Sequence, residues 1–334
     1  MIKTNRIRMK AKPAGNLSRD DFSVEAITIP APASGEVLIA ARYFSLDPYL
    51  TGFMRGWQGP DPRWAEGIVV GRFVAQVIES QDQRFAPGDW VQGEGGWQDT
   101  EVISADKLQK LEPIPGVPFS VYLSVLGSSG LTAWAGVNGV LKVEAGDTFT
   151  VSSAAGMVGG IAGQIAKKIG ARVVGIAGGA EKCAHVVNTL GFDACVDHHS
   201  QDLQGDLATA AGAPITAHYE NVGAKTLDPV LANIADRGRI ALCGLIAHYQ
   251  DMNPIALKEF RRLLISGVTL RGFRLPDFAA DFEQASAELK AMVISGDITL
   301  QETLSHGLES AAGAFLNMLE GKGTGKHLLV LEEK

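Results

Sequence analysis

The chain has 334 residues, 46% of them hydrophobic and 20% charged, with a formal net charge of −7. That length exceeds one ordinary core and suits two soluble domains, and the mixing of acids with bases, without any strong basic run, argues against nucleic acid as a partner. Three cysteines, Cys183, Cys195 and Cys243, are odd in number and widely spaced, which speaks against a disulfide framework and for a cytoplasmic setting. The first fifteen residues carry charges but no apolar core segment, and no run of about 18 apolar residues occurs, so neither a signal peptide nor a membrane span is expected.

The first third reads as β-rich. EVLIAARYFSLDP (36–48), EGIVVGRFVAQVIES (66–80) and FAPGDWVQGEGGWQDTEVI (85–103) are strand-like runs broken by turn residues, as in a barrel or a partly open sheet. Between them MRGWQGPDPRWAEG (54–67) reads as a loop, whose Arg55, Trp57 and Trp64 are candidates to cover an apolar substrate or to form an interface. The stretch 120–137 looks helical with a glycine interruption. Strand-like runs then alternate with helical ones: 147–153, 171–177, 194–198, 215–221, 238–244 and 268–273 against 157–169, 180–190, 225–235 and 254–266. Alternation of this kind predicts a parallel sheet covered by helices on both faces. Residues 282–298 read as one helix. The tail, 309–333, reads as a helix, a glycine turn and a strand that returns to the first domain's sheet.

One turn carries a chemical signal. The strand TFTVSS runs into Ala154-Ala155-Gly156-Met157-Val158-Gly159 and then a helix, which is the dinucleotide fingerprint G-x-G-x-x-G with its first glycine replaced by Ala154. Gly156 allows the backbone to approach a pyrophosphate, Gly159 allows close helix–strand packing, and the helix start favours phosphate. The bland reading is a packed strand–helix unit without a ligand; the surrounding alternations favour the nucleotide. The next strand ends in Gly178-Gly179-Ala180, where an NAD-binding fold has an acid for the ribose 2′-hydroxyl; Glu181 comes late, in the helix start, and Lys182 follows at once. Lys182 reads either as a solvated helix lysine or as a partner for a 2′-phosphate, and the missing acid selects NADPH. The neighbours His198 and His199 offer two metal-ligand atoms, but the sequence reveals no third, so no metal is expected.

SLDPYL with MRG (45–56), GSSGLTAWAGV (127–137), AAGMVGGIAGQIAK (154–167), GIAGGAEKC (175–183), YENVG (219–223), GRIALCGLIAHYQ (238–250), RGF (271–273) and GKH (325–327) give the chain a resemblance over nearly its whole length. It resembles the medium-chain dehydrogenase/reductase superfamily, and within it the zinc-free prostaglandin reductase/leukotriene B4 12-hydroxydehydrogenase family of NADPH-dependent alkenal/one reductases. The resemblance implies an α/β fold in which a Rossmann-type doubly wound parallel sheet (123–304) is inserted in a β-rich GroES-like domain (1–122, completed by 305–334). It also implies that Gly156, Met157 and Val158 line the pyrophosphate and that Lys182 holds the 2′-phosphate. Asn221, Cys243 and Tyr249 would border the nicotinamide half, Phe273 would lie near the cofactor, and Tyr49 would line the substrate pocket. Two departures stand out. The family often has tyrosine after the third strand of the nucleotide domain, where this chain has Asp197-His198, and the tail reads Gly323-Thr324-Gly325-Lys326 where Asn-x-Gly-Lys is frequent. A histidine at 198 can still donate a hydrogen bond, with a dependence on pH. Where zinc relatives have an early cysteine this chain has Ser45-Leu46-Asp47, and the four-cysteine lobe is missing, so zinc-assisted alcohol oxidation is disfavoured.

The expected activity is NADPH-dependent reduction of the double bond of α,β-unsaturated aldehydes and ketones, with Tyr249 and Tyr49 as candidate catalytic residues. Tyr249 is the first candidate to stabilise an enolate oxygen; the alternative is that it only packs or orders a loop. Tyr49 after Asp47-Pro48 lines a pocket or merely anchors a turn. Cys243, ending an apolar strand, reads as a buried inert thiol. Two rivals stay open: an NADPH:quinone reductase of the zeta-crystallin type, and a non-catalytic NADP(H)-binding sensor. A homodimer is expected from the resemblance, paired through the strand 267–273.

Overall fold

A computed structural model describes residues 1–56, 62–250 and 253–331. In chain order the first elements are β1 (Ile2–Met9), β2 (Phe22–Ile29), β3 (Glu36–Ser45), α1 (Leu50–Arg55), α2 (Pro62–Ala65), β4 (Val70–Ser80), β5 (Trp90–Gly96), β6 (Thr100–Ser104) and β7 (Gln109–Lys110). Then follow α3 (Ser128–Trp134), β8 (Thr148–Ser152), α4 (Met157–Ile169), β9 (Arg172–Ala177), α5 (Ala180–Asn188), β10 (Ala194–Asp197), α6 (Leu203–Ala211) and β11 (Ile215–Glu220). The last are α7 (Ala224–Ala232), β12 (Ile234–Leu242), α8 (Arg262–Ile265), β13 (Thr269–Gly272), α9 (Phe282–Ser295), β14 (Glu302–His306), α10 (Ala311–Leu319) and β15 (Lys326–Val330). The chain forms two compact units, one of Met1–Leu123, Tyr249–Asp251 and Glu302–Lys334, the other of Ser124–His248 and Met252–Gln301.

In the first unit a sheet has the order β14-β15-β3-β4-β5-β7, with β6 also pairing β3, and β1 pairs β2 as a separate antiparallel ribbon. The C-terminal strand β15 lies antiparallel to β3, opposing Leu328 to Ser45. Inward residues of the strands, among them Ile39, Phe44, Phe73, Val91 and Trp97, form the core together with Phe315 of α10. Neither β1 nor β2 was legible as a strand: Lys3, Arg6 and Arg8 interrupt the apolar residues of β1, and of the eight residues of β2 only Phe22 is fully buried.

A buried ion pair fastens the two ends of this unit. Lys326 donates to Asp47 Oδ1 at 2.5 Å, and Ser45 Oγ donates to Asp47 Oδ2 at 2.5 Å, with all three residues buried. Burial alone would push the Asp47 carboxyl up, but the Lys326 ammonium, the Ser45 hydroxyl and the charge of Arg72 hold it below the usual carboxylate range.

The second unit is built on a parallel six-stranded sheet of order β10-β9-β8-β11-β12-β13. Its inner strands are near-continuous apolar runs, as burial on both faces requires; every residue of β8 is buried. Numbered from β8, the order is 3-2-1-4-5-6, the doubly wound dinucleotide-binding arrangement expected from the alternation. The expected helix over 254–266 is corrected: only Arg262–Ile265 is helical. Pro254 lacks an N–H, and the N–H groups of Lys258 and Glu259 donate to the Asp228 carboxylate of α7 in place of helical carbonyls. Similarly, the helix expected over 282–298 stops at Ser295, where Gly296 takes φ 77° as a left-handed cap. The stretch 120–137 is also broken, into a tight turn at 119–123, α3, and wider π-helical turns through Leu141. Among the described residues no helix is long and apolar enough to cross a membrane.

Lys326→Met leaves Asp47 charged and unpaired in the first unit's core, and is expected to cost about 3–5 kcal/mol of stability at neutral pH. Because the folded Asp47 carboxyl is depressed, the wild-type pair contributes fully above the unfolded value of about 3.9 and is lost as pH falls through the folded value. Urea unfolding at several pH values should therefore show the gap between wild type and variant narrowing in acid.

Candidate functional site at the carboxyl edge of the parallel sheet

Parallel strands deliver their carboxyl ends to one edge, and a crevice opens where the strand order reverses, here beside the neighbours β8 and β11. After β8 the chain turns on Ser153, which takes φ +54° without being glycine. Ala154, standing in for the fingerprint's first glycine, is fully buried, and its N–H donates to the Ile176 carbonyl. Left-handed strain thus falls on Ser153, one residue earlier. Gly156 then caps α4 with an extended φ of −87°, and Met157, Val158 and Gly159 form its first turn. Their N–H groups lack intrahelical acceptors, as at any helix start, and the helix dipole adds a positive end. A Cβ on Gly159 would lie 2.4 Å from the Ser153 carbonyl oxygen, so only glycine brings the helix this close to the turn.

The crevice is held by a carboxylate that sequence reading passed over. Glu220, the last residue of β11, is fully buried together with His218, Ser152 and Thr150. His218 joins its ring to Thr150 Oγ1 at 2.8 Å and to Glu220 Oε2 at 2.8 Å. Glu220 Oε1 accepts from Ser152 Oγ at 2.7 Å, from the N–H groups of Val222 and Gly223 at 2.5 and 3.0 Å, and from Thr226 Oγ1 at 3.0 Å. Burial alone would raise this carboxyl; His218, Ser152 and the Val222 N–H hold it below the usual range. The network fixes Asn221, whose N–H donates to Ser152 Oγ at 2.7 Å and whose Nδ2 donates to the Ser152 carbonyl at 2.9 Å. The signal in the sequence was His218-Tyr219-Glu220, two ionisable groups two apart on one face of an otherwise apolar strand.

A second cluster forms where β9 and β10 end. A Cβ on Gly178 would lie 2.8 Å from His198 Nε2, so the imidazole packs directly on the glycine tip. The rings of His198 and His199 are 4.1 Å apart. Asp197 Oδ1 accepts from the N–H groups of Gly179 and His199, at 2.8 and 3.0 Å, and lies 2.9 Å from His199 Nδ1. The expectation of two metal-ligand atoms and no third is corrected: Asp197, His198 and His199 bring one such atom each to within 4.8 Å of one another. The carboxylate is engaged in anchoring the tip. Lys182 is half-buried on the first turn of α5, and burial lowers its pKa. Burial, with the charges of Lys225 and His199, also lowers that of His198. Lys182 and the two imidazoles thus gather around the tip, with the anchoring Asp197 on one side and Glu181 beside Lys182 in the first turn of α5.

Cys243 follows β12, and its N–H donates to the Glu220 carbonyl at 2.9 Å. Burial pushes its thiol up to about 11, which keeps it protonated. Phe273 follows β13 and packs edge-on against Tyr219 and Phe278, with centroids 6.2 and 5.9 Å away. Gly156, Met157, Val158, Gly159, Gly178, Lys182, His198, Asn221, Cys243 and Phe273 therefore all follow the carboxyl ends of this one sheet.

Tyr249 and Tyr49 belong to the first unit. Tyr249 is half-buried, next to Gln250, whose Oε1 accepts from the Leu17 N–H at 3.1 Å. Arg55, expected in a loop, is a buried end of α1; its Nη2 donates to the carbonyls of Gly15 and Gln250, both at 2.8 Å. Its role is to tie down the segment that carries Tyr249. Tyr49 packs edge-on against Phe53, which stacks on Trp64 with ring centroids 5.8 Å apart. Burial and the nearby Asp47 raise the Tyr49 phenol, so it stays a donor. Trp57 lies outside the described residues. Ser45 and Asp47, at the place of the zinc relatives' early cysteine, are bonded to each other and Asp47 to Lys326.

A doubly wound sheet with a glycine-lined helix start at its switch point defines a dinucleotide-binding oxidoreductase fold. The glycine positions where a Cβ would collide, and the helix N–H groups beside them, fit a pyrophosphate. Comparison with known proteins agrees. Residues 5–111 match the family profile "N-terminal domain of oxidoreductase", and residues 158–291 match "Zinc-binding dehydrogenase". The NADPH-dependent curcumin reductase of Escherichia coli (strain K12) is 37% identical, over 95% of this chain and 94% of that one. The 2-alkenal reductase (NADP(+)-dependent) of Nicotiana tabacum is 31% identical over 100% and 99%. The crystal structure of CurA in complex with NADPH from Vibrio vulnificus superposes with a TM-score of 0.92 at 35% identity, covering 99% of this chain and 100% of that one. The chain belongs to the zinc-free branch of the medium-chain dehydrogenase/reductase family.

Gly159→Val places side-chain atoms against the Ser153 carbonyl and moves the start of α4. Dinucleotide affinity, read by quenching of intrinsic fluorescence, should fall by about tenfold or more, a loss of about 1.4 kcal/mol.

Proposed function

We propose that this chain is a cytoplasmic, NADPH-dependent and zinc-independent reductase of the carbon–carbon double bond of α,β-unsaturated aldehydes and ketones. The observation that carries the cofactor choice is the tip after β9, where Gly178 lies under His198 and Lys182 stands on the adjoining helix turn. An acid that would bond a ribose 2′-hydroxyl is replaced there by groups suited to a 2′-phosphate. Support for the substrate class comes from the relatives named curcumin reductase and 2-alkenal reductase.

When bound, the reduced nicotinamide supplies a hydride. On the substrate, hydride arrives at the β-carbon, negative charge collects on the carbonyl oxygen, and the α-carbon then takes a proton. This chain's part is to hold that oxygen. Tyr249 is the proposed donor, and Tyr49, kept protonated by burial and Asp47, is the second. Gly156, Met157 and Val158 receive the pyrophosphate at the start of α4; Lys182 and His198 receive the 2′-phosphate; Asn221, Cys243 and Tyr249 border the nicotinamide half, and Phe273 lies near the cofactor.

The working form is a homodimer. Among the described residues β13 is an edge strand paired with β12 alone, and Phe260, Leu264 and Ile265, in the segment that leads into it, are exposed, Leu264 at 87%. An edge strand flanked by apolar side chains is completed by a second copy across a two-fold axis.

Two measurements check this reading. NADPH consumption with trans-2-nonenal should yield the saturated aldehyde, and Tyr249→Phe should slow it by about 10²–10³-fold while NADPH affinity holds. Turnover of 1,2-naphthoquinone but not of enals would favour the quinone reductase, and tight binding without any turnover would favour the sensor. Light scattering should give a dimer mass for the wild type and a monomer for Leu264→Asp; a wild-type monomer would remove the dimer proposal.

A further inference from the structure

Two thiols meet beneath the glycine tip. Cys183, in the first turns of α5, and Cys195, in β10, have their sulfurs 3.2 Å apart, and both side chains are half-buried. The contact is well placed to affect the tip. Cys183 directly follows Lys182, and its N–H donates to the Gly179 carbonyl at 3.1 Å. Cys195 is two residues before Asp197, whose carboxylate holds the Gly179 N–H. Cys195 packs on its strand neighbour Gly175, where an added Cβ would lie 3.3 Å from its sulfur. Among the described residues no third ligand joins the two sulfurs, so oxidation is the chemistry open to them, in preference to metal binding.

We propose that Cys183 and Cys195 are an oxidisable dithiol that closes into an internal disulfide, stitching α5 to β10 and weakening the 2′-phosphate corner. With a peroxide as oxidant, the Cys183 sulfur attacks one oxygen and the O–O bond breaks, giving a sulfenic acid and the first water. The Cys195 sulfur then attacks the Cys183 sulfur, the S–O bond breaks, and the second water leaves. Two thiols and one peroxide become one disulfide and two waters; the sulfurs lose two electrons and the peroxide oxygens gain them. Closing 3.2 Å to a bond of about 2.05 Å draws the first turns of α5 toward β10 by about 1 Å. Lys182 rides on that turn. Burial raises both thiols, so the reaction is slow and suited to sustained exposure.

The effect on the cofactor rests on the NADPH reading above; formation of the bond does not. The test incubates the full-length protein with excess hydrogen peroxide for hours, maps the peptides by mass, and titrates NADPH before and after. The expected result is a loss of about 2 Da in a Cys183–Cys195 cross-linked peptide, an NADPH dissociation constant raised about threefold or more, and restoration by a dithiol reductant. Cys183→Ser and Cys195→Ser, tested separately so that one poorly folded variant does not decide the matter, should form no cross-link and keep their NADPH affinity under peroxide. Over-oxidation of either cysteine to a sulfinic acid without a cross-link would overturn the proposal, and a cross-link that leaves NADPH affinity unchanged would overturn its regulatory half. If the reduced protein fails to bind NADPH, the cofactor reading falls while the cross-link result stands by itself.

Discussion

A buried carboxylate at the end of β11 is the constraint on which the nucleotide unit depends. Glu220 is removed from water, yet it accepts from a hydroxyl on β8, a hydroxyl on α7, two backbone N–H groups of the following turn and the ring of His218. An unpaired charge at that depth would be very costly, so the groups that satisfy it must come together. In doing so they lock β8 to β11 where the sheet order reverses, shape the turn of Asn221, and leave the Ser152–Ser153 corner in the conformation that starts α4.

The rest of the seat inherits its geometry from that lock. Ser153 turns in the left-handed region because the strand before it is held by Ser152 and the helix after it must pack close through Gly159. One strand further, Asp197 does for the Gly178–Gly179 tip what Glu220 does for the crevice: a carboxylate collects backbone N–H groups and fixes a turn. On the proposed function the two turns receive the ends of one extended ligand, a pyrophosphate at the first and a ribose phosphate at the second. In the other unit Asp47 and Lys326 join residues 279 apart in sequence, closing the sheet around the strand pair β3 and β15.

Much of this was legible in the sequence, for identifiable reasons. The parallel strands read clearly because burial on both faces makes each of them an apolar run, and the glycines at 156, 159 and 178 read clearly because backbone approach leaves no room for Cβ. Pairings across long separations did not show. Nothing local joins Asp47 to Lys326, and Glu220 appeared only as part of the YENVG motif, with nothing nearby in sequence to name Thr226 or Ser152 as its partners. Apolar side chains at 255–265 mimicked a core helix, although Pro254 and the Asp228 carboxylate dissolve most of it and leave Leu264 and Ile265 exposed. Arg55 was read from its neighbours as a loop residue, whereas the carbonyls of Gly15 and Gln250 draw it inside.

The most direct test is a side-by-side titration of the reduced protein with NADPH and NADH by isothermal calorimetry at moderate salt. The account gives one site per chain and NADPH bound about tenfold or more tighter, with Lys182→Ala removing most of that preference while leaving NADH affinity in place. Equal affinities, or a preference for NADH, would contradict the assignment of the Gly178, Lys182 and His198 corner to a 2′-phosphate.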